Sequence, residues 1–210
     1  MRLIVYYDSS RKDAGRDSYL KAISSKIKNV KLIDVENGKS YTKINVNEDR
    51  ILIIEPIGKL IKRQIQKIFK NCPQLDIEGR FTGKLTITAE AILRVMEDVE
   101  GKEIVIANQS EIIGKPLTIE LMRRGANIHS LNSTGNLENI KKADWFITAS
   151  GRKDFAHSRN DVAGFKKIID LSDDAPTRKT ITKIPTIEIL KERLNNIKYD
   201  KKIKKAVLWL

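Results

Sequence analysis

The stretch best placed to do chemistry reads Asn108-Gln109-Ser110-Glu111-Ile112-Ile113-Gly114-Lys115-Pro116. It follows an apolar run and precedes a helical pattern. Ser110 offers a hydroxyl, and the backbone N–H groups near Gly114 would lie at a helix N-terminus. Unsatisfied donors and a partial positive charge at such an end suit a pyrophosphate. Gly114 is expected to let phosphates approach the backbone closely, and Pro116 pre-sets the first helical turn. An ordinary strand-to-helix loop capped by a serine contains the same residue types, so the loop alone leaves both readings open. No G-x-G-x-x-G fingerprint is present. Metal chemistry is not expected: with two histidines and one cysteine, Cys72, a His/Cys zinc site lacks ligands. The single cysteine also excludes an intramolecular disulfide framework and fits a reducing, cytoplasmic location.

Elements able to position that loop are legible around it. Leu3–Tyr7, Lys31–Val35 and Arg50–Glu55 read as strands, the last closed by Pro56 and Gly58. Ser18–Lys28 and Leu60–Lys70 read as helices, with Tyr19, Ile23 and Ile27 recurring on one face of the first. A second series begins near residue 86. It runs helix Thr88–Val99, strand Glu103–Ala107, helix Pro116–Arg124, strand Asn127–Leu131, short helix Leu137–Lys142, and strands Trp145–Ala149 and Lys167–Leu171. Glu188–Asn196 is a final helix, and Ala206–Leu210 an apolar tail. Alternation of strands with helices argues for parallel α/β sheets, and the second series has the rhythm of a dinucleotide-binding domain. The expected fold is α/β. It has two α/β domains with a cleft between them, at 1–85 and 86–175, the second Rossmann-like. A 176–210 segment is expected to return its helix to the first domain.

Composition narrows the partners. Apolar residues make up 40% and charged residues 32% of 210 positions, enough for a real core. No apolar run approaches a bilayer span and no signal-peptide pattern opens the chain, so no membrane partner is expected. The formal charge of +13 attracts anions in general. Only Lys198–Lys205 is densely basic, and no aromatic-interleaved basic stripe accompanies it. A solvated Lys-rich surface accounts for the charge, and nucleic acid is not expected as a partner.

The loop and its flanks resemble the methylenetetrahydrofolate dehydrogenase/cyclohydrolase family. Asn108 to Pro116 is similar to its G-R-S-x-x-V-G-x-P pattern, and Gly101-Lys102-Glu103-Ile104-Val105-Ile106 to its G-K strand. Ser133-Thr134 resembles its H-S-x-T turn. Ala143–Arg152 resembles its A-D-I-L-V-x-A-x-G stretch, and Ile168-Ile169-Asp170 its V-I-D strand. The resemblance covers roughly residues 86–171. It implies a cofactor, NADP or NAD, held by Thr88, Asn108, Gln109, Ser110, Ile113, Gly114, Ser133, Thr134, Ser150 and Gly151. Gln109 stands where the family has an arginine similar to a clamp for the NADP 2′-phosphate. An uncharged amide offers no such fork, so NADP preference is expected to be weak.

In the N-terminal half the resemblance implies a catalytic set of Lys26, Tyr19, Asp76 and Glu78. Lys26 and Tyr19 are seven residues apart and share a helical face. Asp76-Ile77-Glu78-Gly79 resembles the family's D-V-D-G, whose carboxylate would hold the amino-pyrimidine edge of a pterin. Ile54 replaces a glutamine that tunes the lysine, and the P-G-G-V-G-P-M-T loop is absent. The implied activity is NAD(P)-dependent oxidation of 5,10-methylenetetrahydrofolate, or a related reduced pterin, to the methenyl form, with a slow cyclohydrolase step. A homodimer is the expected assembly. Two alternatives stay open: a catalytically impaired nucleotide-binding relative of the same fold, and a basic nucleic-acid-associated protein.

Overall fold

Four consecutive apolar residues of the first strand, Leu3–Tyr6, and three of the fourth, Ile51–Ile53, are buried whichever way they point, as a parallel sheet covered on both faces requires. The computed structural model describes residues 1–11, 14–36, 42–132, 135, 137, 142–150, 159–175, 180–196 and 207–209. The chain divides into two units: Met1–Lys84 with Ile187–Leu210, and Leu85–Thr186.

The first unit opens with β1 (Arg2–Tyr7), α1 (Ala14–Lys26), β2 (Val30–Asp34), β3 (Lys43–Asn45), β4 (Asp49–Ile53) and α2 (Lys59–Asn71). Its parallel sheet has the order β2-β1-β4. Leu20 and Ile23 form the buried stripe of α1, continued by Ile27 just past its end, and Ile65 and Phe69 form that of α2. Period-3.6 spacing sets both stripes. Ile4, Tyr6, Ile51 and Ile53 meet Ile65, Phe69 and Leu75 in one core. After a 3₁₀ turn at Pro73–Leu75, Asp76 bridges to Ile51 in parallel, so residues 76–78 run beside β4 toward its carboxyl end.

The second unit contains α3 (Ile87–Val95), β5 (Glu103–Ala107), α4 (Gly114–Arg123), β6 (Asn127–Ser130), β7 (Trp145–Thr148), α5 (Arg159–Val162), β8 (Lys167–Asp170) and β9 (Thr180–Ile181). Its five parallel strands have the order β6-β5-β7-β8-β9. Period-2 alternation divides the residues between two faces. Ile104, Ile106 and Ile147 pack with Ile92, Leu117 and Leu121, while Val105, Ala107 and Phe146 pack with Val162 and Phe165. Phe146 and Phe165 stack with ring centroids 4.8 Å apart. α4 ends where Gly125 takes a φ of 79°. The Gly125 and Ala126 N–H groups close back on the Met122 and Leu121 carbonyls, a paired C-terminal cap needing a left-handed residue.

Several sequence expectations change. The third helix stops at Val95 rather than Val99, because Met96 turns extended and Glu97 leaves to pair with Lys167. The second unit runs on to Thr186, since β9 adds to the edge of its sheet. α6 (Thr186–Asn195) buries Ile187, Ile189 and Leu190. The apolar tail contains β10 (Val207–Trp209), antiparallel to β3 in a two-stranded sheet that periodicity does not reveal. The expected helix at Leu137–Lys142 falls largely outside the described residues. Among the described residues no helix is long and apolar enough to cross a membrane.

Candidate functional site

The chain leaves β5 for β6 on one side and returns to β7 on the other, so the connections diverge at the carboxyl ends of β5 and β7. In open α/β sheets ligands bind at that divergence. Asn108, the first residue after β5, spans it. Its Nδ2 donates to the Ala149 carbonyl at 2.9 Å, tying the two strand ends together. Its Oδ1 accepts from the Ser110 N–H at 2.9 Å, the Ser110 hydroxyl at 2.7 Å and the Gly114 N–H at 3.0 Å. One amide thereby shapes the whole loop.

This geometry corrects two expectations. The first-turn donors of α4 are not idle: Gly114 N–H goes to Asn108, Lys115 N–H to the Ser110 carbonyl, and residue 116 is proline. The Ile113 N–H donates to Ser110 Oγ at 3.1 Å. Gly114 is also required by the loop itself rather than by an approaching ligand. A β-carbon there would sit 1.7 Å from the Asn108 carbonyl oxygen and 2.4 Å from its carbon.

What the loop presents outward is Gln109, Ser110, Glu111 and Lys115, all exposed. Lys115 pairs with Glu111 one turn away. Gln109 Nε2 donates to Ser130 O and Oγ, each at 3.2 Å, beside the end of β6. Thr88 is half-buried in the first turn of α3, and Ile113 packs against the core. Ser150, half-buried after β7, donates its N–H to Asp174. Ser133, Thr134 and Gly151 lie outside the described residues.

Two supports escaped the sequence reading. Thr86 is buried and donates its hydroxyl to the Ile112 carbonyl at 2.5 Å, pinning the loop to the start of α3. Asp170 and Asp174 are each 2% exposed. Asp170 accepts from the Ser172, Asp174 and Ala175 N–H groups, and Asp174 accepts from the Thr148 hydroxyl and Ser150 N–H, each at 2.7 Å. A strand-end Asn or Asp followed by a turn is the one sequence signal for such supports.

The first unit separates residues that the sequence groups together. Tyr19 has its hydroxyl buried without a hydrogen-bond partner among the described residues, within electrostatic reach of Glu78 and Arg193. Burial pushes its pKa well above the usual phenol range; the Glu78 carboxylate adds to this and Arg193 opposes it. Glu78 is buried, and Arg193 Nη1 donates to the Ile77 and Glu78 carbonyls at 3.0 and 2.8 Å. Lys26 is not part of this group. It is exposed at the end of α1, about 10 Å further along the helix at 1.5 Å per residue. There it lines a cavity of about 410 Å³ with Leu3, Asn29 and Lys191, at the amino edge of the parallel strands. Asp76 is also committed elsewhere. Its carboxylate accepts from the Gly79, Phe81 and Thr82 N–H groups and the Thr82 hydroxyl, and so builds the loop after residue 78.

A five-stranded parallel sheet with a loop–helix turn at its divergence point defines, as a class, a dinucleotide-binding type of domain. Residues 86–180 match the model of the tetrahydrofolate dehydrogenase/cyclohydrolase NAD(P)-binding domain. The bifunctional protein FolD of Dictyoglomus thermophilum is 27% identical over 186 residues, covering 80% of this chain and 65% of that protein. That of Thermosipho melanesiensis is 35% identical over 125 residues, covering 50% and 45%. Among solved structures, the bifunctional FolD enzyme of Campylobacter jejuni aligns with a TM-score of 0.65 at 20% identity, covering 92% of this chain and 85% of that one. The Trypanosoma brucei methylenetetrahydrofolate dehydrogenase-cyclohydrolase, complexed with NADP and an inhibitor, aligns at 0.63 and 15%, covering 92% and 84%. Residues 86–180 therefore match the NAD(P)-binding domain of the tetrahydrofolate dehydrogenase/cyclohydrolase family, and the chain is similar to bifunctional FolD proteins over a longer stretch. It spans less than two thirds of the length of these two curated relatives.

Proposed function

We propose that this chain is an NAD(P)-dependent dehydrogenase that oxidises the methylene bridge of a reduced folate, or a related pterin, to the methenyl form. The observation that carries this is the Asn108 bridge. It fixes a loop of exposed polar groups, whose one carboxylate, Glu111, is paired with Lys115, over the divergence of β5 and β7, in the segment that matches the NAD(P)-binding family.

The donor set fits a dinucleotide. Gln109 and Ser110 supply neutral polar groups, Lys115 supplies a cation at the start of α4, and Glu111 is paired to that cation. When bound, the nicotinamide would accept the bridge hydrogen with its electron pair, leaving a methenyl cation on the pterin. This chain's residues supply orientation. Lys115 would face the pyrophosphate, with Ser110, Gly114 and Asn108 as the scaffold that holds the loop in shape. Gln109 and Ser130 would face the adenosine ribose, and Ser150 the other half of the cofactor. In the first unit, Tyr19 and Glu78 would meet the pterin, the buried carboxylate accepting from its amino-pyrimidine edge. Lys26, at the opposite strand edge, would take no part, and neither Lys26 nor Ile54 supports a rapid hydrolytic step. A homodimer and a cytoplasmic location accompany this reading, both resting on the family resemblance.

The test is NAD and NADP titration of the purified chain, followed by nicotinamide absorbance with 5,10-methylenetetrahydrofolate. The expected preference for NADP is below about tenfold, equivalent to about 1.4 kcal/mol. Gln109→Arg should raise NADP affinity at least about tenfold, since hydrogen bonds to charged groups contribute about 1.5–3 kcal/mol. Absence of binding by both nicotinamides would overturn the reading.

A further inference from the structure

The carboxyl end of β8 holds a device that the dehydrogenase reading does not use. Asp170 closes the strand and takes three backbone N–H groups, from Ser172 and Asp174 at 3.0 and 3.1 Å and from Ala175 at 2.6 Å. Those bonds wind residues 171–175 into a tight turn that passes through Asp173 at a φ of 58°. A non-glycine residue holds that conformation only when its surroundings determine it. The turn aims Asp174 back across the sheet to β7. There its Oδ2 accepts from the Thr148 hydroxyl and the Ser150 N–H, both at 2.7 Å. These are short, charge-assisted bonds inside a buried site, the strong kind.

The placement gives the device a direction. The sheet order β6-β5-β7-β8 puts the Gln109–Ser130 contact on the β6 side of the divergence and the Asp174–Ser150 contact on the β8 side. A dinucleotide lying across that divergence has its adenosine on one side and its nicotinamide on the other. We propose that Asp174 is a positioning residue for the nicotinamide half of the cofactor. It acts by fixing the backbone of Ser150 at the end of β7, and Asp170 serves it by setting the turn. This rests on the cofactor reading above.

ADP-ribose separates the halves, because it carries the adenosine and pyrophosphate but no nicotinamide. Binding of NAD and of ADP-ribose is measured calorimetrically for the parent, Asp174→Ala and Thr148→Val. The expected result is a loss of NAD affinity of about tenfold in Asp174→Ala, equivalent to about 1.4 kcal/mol. ADP-ribose affinity should stay within about twofold. Thr148→Val preserves buried shape while removing one of the two bonds, so it should show a smaller loss, about threefold, of the same kind. It carries the test if Asp174→Ala does not fold. Equal losses for both ligands would reduce Asp174 to a general structural role and overturn the proposal. So would unchanged NAD binding in the folded variants. Failure of the parent to bind either ligand would instead remove the cofactor reading, and the proposal with it.

Discussion

Gly114→Ala should destabilise the second unit before any question of cofactor arises. The added β-carbon would meet the Asn108 carbonyl oxygen at 1.7 Å, its carbon at 2.4 Å and the Gln109 nitrogen at 2.9 Å. All three are backbone atoms, so no side-chain rotation relieves the contact. The loop must retreat by well over an ångström, and the Gly114 N–H bond to Asn108 Oδ1, now 3.0 Å, does not survive that. Overpacking of this kind costs about 1–3 kcal/mol, and each lost hydrogen bond about 1 kcal/mol. With one or two bonds lost, the sum is roughly 2–5 kcal/mol. In a chain of this size that lowers Tm by roughly 6–15 °C, at about 3 °C per kcal/mol. Trp145 lies in β7 of the same sheet, so its fluorescence during heating, in a Trp209→Phe background, reports this unit. A Tm within about 1 °C of the parent, corresponding to under about 0.5 kcal/mol, would refute the close-approach argument. Intact stability with lost cofactor binding would return Gly114 to the role of admitting a ligand.

Lys26→Met should leave dehydrogenase turnover within about twofold of the parent, a change worth about 0.4 kcal/mol, because the side chain lies at the amino edge of the strands; a drop of tenfold or more in single-turnover rate would restore it to the site. Tyr19→Phe removes a buried hydroxyl that has no hydrogen-bond partner among the described residues, so the unfolding free energy from urea titration should hold or rise, by up to about 1 kcal/mol. A clear loss of stability would show that the hydroxyl is bonded in solution. For Glu55, burial alone would raise the pKa, but the hydrogen bonds from Lys62 and Arg80 outweigh it and hold the carboxyl below the usual range. Its contribution is therefore present above the unfolded pKa of about 4.3 and is lost as pH falls through the lower folded value. Arg80→Ala should flatten the acid limb of a stability–pH curve measured from pH 7 to 3, and an unchanged limb would exclude this pair as its source.

Much of the fold was legible because long parallel strands advertise themselves. Glu103–Ala107 stands in the structure with the bounds its apolar run suggests, since a strand covered on both faces needs nothing else. β3 and β10 were not legible: three residues carry no period, and their pairing joins segments from opposite ends of the sequence. In the candidate site, the loop 108–116 was recognisable from Ser, Gly and Pro at fixed offsets, but its internal wiring was not. The donors of α4 look free in sequence because their partner, Asn108 Oδ1, lies six residues back and reaches them through space. Lys26 illustrates the opposite failure. A seven-residue spacing correctly fixes the shared helix face, yet it leaves open which end of the helix meets the carboxyl edge of the sheet.

The first unit is built from both ends of the sequence, and this sets an order of assembly during synthesis. Residues 1–84 emerge first, but α6 and β10, which complete their unit, follow only after the whole of Leu85–Thr186 has been made. At about 5–20 residues per second that delay is roughly 5–20 s, long compared with the collapse of a small domain. The second unit is contiguous and can close as soon as it leaves the ribosome, while the earlier-made half still waits for Ile187, Ile189 and Leu190 to reach it. The part of the chain translated first is thus the part that finishes folding last.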